Sequence, residues 1–62
     1  MNEAREILWA AQDDLTEGRE DRAASWLRLG LDQGILKSEV ARQLLDKGFV
    51  LLALEALSRE NS

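Results

Sequence analysis

The chain contains no cysteine and no histidine. Their absence removes disulfides, thiolate nucleophiles, the usual zinc ligands and the side chain that most readily serves as a base near neutral pH. Proline is missing too, so no position is closed to helix on that account. Aromatic residues are scarce, at 5%: Trp9, Trp26 and Phe49. The longest unbroken apolar run, Phe49 to Leu54, falls far short of the roughly 20 residues that a membrane-spanning helix needs. There is no basic cluster. Eight Lys and Arg are scattered among twelve acids, for a net charge of −4 and a pI near 4.6. Nucleic-acid binders normally show a concentrated basic face, so direct binding to DNA or RNA is not expected. The opening Met1-Asn2-Glu3-Ala4-Arg5-Glu6 is polar and unlike a secretory leader, and the expectation is a cytoplasmic protein.

What remains is small and helix-prone. At 62 residues there is room for a single domain over 1–62. A domain of this size buries only about 60% of the surface its unfolded chain exposes. Small domains recover stability from disulfides, a metal or a partner chain, and the composition leaves only the last. Association, with itself or with another protein, is the first functional expectation.

The apolar residues recur with a helical period. In the first segment, up to Glu17, Ala4, Ile7, Leu8, Ala11 and Leu15 fall at i, i+3, i+4, i+7 and i+11, a narrow stripe. Asn2 is placed to cap this helix and Gly18 to end it in a left-handed conformation. A second helix is expected from Glu20 or Asp21 to Gln33, with Ala23, Ala24, Leu27, Gly30 and Leu31 inward, Trp26 on the edge of the core, and Gly34 as the stop. Ser38 reads as the N-cap of a third helix with Val40, Ala41, Leu44 and Leu45 on its apolar side. Gly48 either breaks the chain or sits inside one long helix at a cost of about 1 kcal/mol. The break is preferred, because it gives the last segment a clean stripe of Phe49, Ala53, Ala56 and Leu57, flanked by Val50 and Leu52. The fold class is thus all-α: four short helices in two hairpins, at about 3–33 and 38–59.

An internal repeat supports that break. Ala11, Leu15, Gly18, Ala23 and Leu27 recur as Ala41, Leu45, Gly48, Ala53 and Leu57, each 30 positions later. The physical reading is one helical hairpin used twice: a leucine closes the first helix, a glycine turns the chain, and an alanine lets the second helix come close. The pattern resembles the tetratricopeptide repeat, whose first helix has a small residue where Ala11 and Ala41 stand and whose turn glycine matches Gly18 and Gly48. Its second helix has an alanine and then a large apolar residue, matching Ala23 and Leu27, and Ala53 and Leu57. The period here is shorter than that family's 34 residues, and the proline that ends its second helix is missing. The resemblance implies that the first helix of each hairpin lines a shared groove, with Arg5, Trp9, Gln12, Arg42 and Asp46 toward a protein ligand.

Trp9 lies about 140° around its helix from Ala4, at about 100° per residue, beside Arg5 and Asp13. A large aromatic off the stripe fits an interface better than a core. Leu29, Leu51 and Leu54 also project away from their own stripes; with Phe49 they form the candidate oligomer interface. A homodimer and a different partner protein would cover them equally well. Asp13, Asp14, Glu17, Glu20 and Asp21 gather around the first turn, where a solvated corner is the simplest reading and a mimic of nucleic-acid phosphates the sharper one. No catalytic constellation, cofactor motif or metal-ligand spacing is present, so neither an enzyme nor a cofactor is expected. Ser38-Glu39-Val40-Ala41-Arg42 followed by Gly48 has the outline of a DNA-binding helix-turn-helix. Its recognition helix would carry a single arginine, Arg59, among Leu, Ala and Val, which argues against it. The functional expectation is a non-catalytic protein-interaction module: an adaptor, a chaperone-like subunit or a small inhibitor of a larger complex. The alternative is a dimeric regulator or acidic mimic acting on nucleic-acid machinery.

Overall fold

The computed structural model describes residues 2–61; the two end positions of the expected 1–62 domain lie outside that range. Among the described residues the chain forms four α-helices and no strand: α1 Glu3–Thr16, α2 Glu20–Asp32, α3 Glu39–Asp46 and α4 Val50–Glu60. None is long and apolar enough to cross a membrane. Helices of 8 to 14 residues are marginal on their own in water, so tertiary packing must hold them.

Local chemistry sets their ends. Asn2 Oδ1 accepts from the Arg5 amide at 3.2 Å, and Ser38 Oγ accepts from the Ala41 amide at 3.1 Å. Each satisfies one of the donors that a helix N-terminus leaves free. The repeat is present in the turn geometry as well as in the letters. At the end of α1 the Gly18 amide donates to Leu15 O and the Arg19 amide to Asp14 O; at the end of α3 the Gly48 amide donates to Leu45 O and the Phe49 amide to Leu44 O. Both are Schellman turns, closed by glycines at φ +81° and +89°, a region that a Cβ makes costly. Gly48 therefore breaks the chain, and α3 and α4 are separate helices.

Each hairpin closes on itself, α1 on α2 and α3 on α4. The hairpins then meet through α1 and α4, with α2 also touching α3 and α4. Ala11, Ala23, Ala41 and Ala53, the small residues of the repeat, have no exposed surface, and neither do Leu27 and Leu57. The fully covered core also takes in Leu36, from the segment between the hairpins, which periodicity could not assign to any helix face.

Several apolar residues stand elsewhere than the stripes suggest. Phe49 is not part of the α4 stripe: it occupies the N-cap position, half-exposed, and Val50 is buried in its place. Leu54, expected to project outward, is only 2% exposed, because α4 packs on α1 as well as α3 and its buried arc is wider than one neighbour requires. Val40 is exposed, although it borders the inward Leu44. Trp26 is 37% exposed where a core position was expected.

Gly30 shows how tightly the inter-hairpin segment is seated. Its carbonyl accepts from both the Ile35 and Leu36 amides, at 2.9 and 3.0 Å, so the chain folds back over it. A Cβ on Gly30 would lie 2.6 Å from Leu36 Cδ1 and 2.8 Å from its Cγ. Leu36 is enclosed and has nowhere to swing. Gly30→Ala gains about 1 kcal/mol of helix propensity, but overpacking costs about 1–3 kcal/mol, so a net loss of stability is expected in urea unfolding. Combining it with Leu36→Ala should cost less than the two single losses added together. For Ser38→Ala, which strips the cap of the shortest helix, thermal unfolding should show a loss of about 1 kcal/mol.

Candidate functional site

The α1–α4 packing builds an open groove on the outside of the molecule. Arg5, Trp9 and Gln12 follow at i, i+4 and i+7, so they form one row along α1. Across from them stand Leu54 and Ser58, an i, i+4 pair on α4, while the half-buried Leu8 closes the α1 side. The depression encloses about 320 Å³. Trp9 is 69% exposed, the most exposed of the large apolar side chains. On its other flank a second shallow depression is lined by Asn2, Arg5, Glu6 and Ala10, so the indole forms a ridge between two hollows. Gln12 is fixed locally: its Nε2 donates to Thr16 Oγ1 at 3.4 Å, and Thr16 Oγ1 donates to Gln12 O at 3.0 Å. Arg5 has no ion-pair partner among the described residues, and its guanidinium is open to a ligand.

The groove differs from the one the repeat resemblance implies. Among the described residues α1 and α3 are not packed side by side, so the first helices of the two hairpins do not build a groove between them. Arg5, Trp9 and Gln12 are brought together; Arg42 and Asp46 are not with them. Those two lie on the opposite flank, where α3 meets α2: Arg42 Nη1 is 3.1 Å from Asp32 Oδ1, and Arg28 Nη1 is 3.3 Å from Asp46 Oδ1. The two bridges cross between the helices in opposite senses and bind one hairpin to the other. Of the expected oligomer residues, Leu29, Phe49 and Leu51 are exposed, while Leu54 floors the groove. Leu29 shares a further hollow on α2 with Arg22, Ser25 and Trp26.

Periodicity missed Asp14. Its position on α1 falls among Ile7 and Ala11, and it is 4% exposed. Arg19 is fastened to it twice, by the backbone bond of the turn and by Arg19 Nε donating to Asp14 Oδ1 at 2.8 Å. That hydrogen bond, with the surrounding acids, raises the Arg19 guanidinium above its ordinary pKa. Asp14 Oδ2 is buried without a hydrogen-bond partner. In the second hairpin the same two places hold Leu44 and Phe49, so one turn is held by charge where the other has apolar side chains. A clue was present in the sequence: Asp14 lies on the same helix face as Ile7 and Ala11. Among the described residues no three acids are grouped to hold a metal ion.

No family model matches the chain, and the comparisons with curated proteins and with solved structures found no match.

The two kinds of ion pair should respond differently to truncation. Arg19→Ala leaves the Asp14 carboxylate covered and unpaired, and a loss of about 1–3 kcal/mol is expected. Arg28→Ala removes a pair exposed on both sides and should cost no more than about 1 kcal/mol. Parallel denaturant titrations of the two variants measure the difference.

Proposed function

We propose that this chain is a non-catalytic protein-interaction module, an adaptor, chaperone-like subunit or small inhibitor of a larger complex, whose contact surface is centred on Trp9. The observation that carries this reading is the Trp9 ridge itself. A tryptophan left 69% in water, next to an unpaired arginine and over an apolar floor, fits the anchor of an interface. The molecule also exposes apolar side chains elsewhere: Leu29, Val40, Phe49, Leu51 and Leu52. Loose packing does not explain that exposure. The chain presents 4163 Å², and a compact monomer of its mass is expected to present about 4,000 Å².

The rival reading, an acidic mimic of nucleic acid, draws on the acids of the first turn. Its charge is diminished there, because Asp14 is buried and Arg19 lies within 4 Å of both Asp13 and Asp14. The two readings part in one experiment, capture of partners from the expressing cell with the wild-type chain and with Trp9→Ala. Binding that survives 0.5 M salt and falls by at least about 30-fold with Trp9→Ala is the expected result. Binding that vanishes in salt and ignores Trp9 would favour the mimic.

A further inference from the structure

The interaction reading leaves the partner open, and the distribution of charge on the groove narrows it. Arg5 lines the groove on α1, and Glu55 stands exposed on α4 next to the groove residue Leu54, so opposite unpaired charges lie on and beside the two walls. On α1 the exposed row is Arg5, Trp9 and Gln12. On α4, Leu51 and Glu55 stand one turn apart on the exposed face beside Ser58, at about 100° per residue. Neither Arg5 nor Glu55 has an ion-pair partner among the described residues. The α1 row thus pairs a large apolar side chain with an unpaired positive charge, and the exposed face of α4 pairs one with an unpaired negative charge.

Resting on that interaction reading, we infer that the occupant of the α1–α4 face is a second copy of this chain, related by a two-fold axis that runs along the groove. Such an axis sets α1 of each copy over α4 of the other. Residues level with each other across the groove in one copy are then level across the interface. Arg5 and Trp9 share the groove with Leu54 and Ser58, and Glu55 lies between those two along α4. The arrangement therefore sets the α1 row of Arg5 and Trp9 in each copy against the α4 face that carries Leu51 and Glu55 in the other. The contact is isologous, so it occurs twice and closes the assembly at two copies.

Size points the same way. A stable interface takes about 800 Å² from each partner. A molecule of 26 × 24 × 18 Å can supply that only by giving up most of one side. The α1–α4 side offers the most exposed aromatic residue together with Arg5 and Glu55.

The test is sedimentation of the full chain and four variants, each checked for helicity by circular dichroism. The wild-type chain is expected to be dimeric at roughly 100 μM, and Trp9→Ala to weaken the dimer at least about 100-fold, since the side chain is lost twice. Arg5→Glu and Glu55→Arg should each weaken it about tenfold by opposing like charges, and the double variant should return to within about threefold of wild type. Val40→Ser, on α3, is the control and should leave the dimer intact. A wild-type monomer at that concentration, a dimer indifferent to Trp9→Ala, or a double swap no tighter than the singles overturns the inference. A monomer that holds a different protein through Trp9 overturns the second copy alone and leaves the interaction module standing. A chain that neither self-associates nor binds through Trp9 ends both.

Discussion

Helices this short stay together only where their backbones can approach, and that approach rests on Ala11, Ala23, Ala41 and Ala53, none of which has exposed surface. At these four places a side chain of one carbon lets the neighbouring helix settle, and Leu27 and Leu57 fill the space one turn further on. The rest of the architecture depends on this closeness. Without it the α1–α4 contact opens, Leu54 and Leu36 lose their cover, and the Schellman turns connect helices with nothing to lean on. The alanines do not act through much burial of their own, since a methyl contributes little area. They act by permitting the larger residues to interlock.

Charge has a different task in this molecule. The Arg28–Asp46 and Arg42–Asp32 bridges are exposed and individually small in effect, and they cross between α2 and α3 in opposite directions. Asp14 with Arg19 is the exception, a carboxylate taken inside and answered by one cation. It sits near the C-terminal end of α1, where the helix's own field disfavours an anion, so Arg19 offsets two unfavourable terms together. The exposed apolar residues are left over once these demands are met, and Trp9 is foremost among them.

Much of the fold was legible because it is written in local chemistry. Gly18, Gly34 and Gly48 mark the turns, Asn2 and Ser38 the caps, and the 30-residue repetition the two hairpins. What a single helix cannot reveal is its second neighbour. Leu54 projects away from the stripe of its own helix, yet α1 packs on α4 as well as α3 does and covers it. The resemblance likewise implies a groove between α1 and α3 that would hold Arg42 and Asp46 with Arg5, Trp9 and Gln12, whereas the hairpins meet through α1 and α4. Leu36 was hidden in another way. It lies in a connection, where no period exists to assign it a face. Trp9 was legible from its angle on the helix, since no neighbouring helix comes over that side.

The unequal surroundings of the two indoles carry an optical consequence. Trp9 stands largely in water and Trp26 is nearly two-thirds covered, and with no tyrosine present they account for nearly all the near-ultraviolet signal. Their emission is therefore a sum of a red-shifted and a bluer component. A quencher dissolved in the buffer reaches the first far more readily than the second. The chain holds two built-in reporters, one tuned to whatever settles on its surface and the other to the integrity of α2.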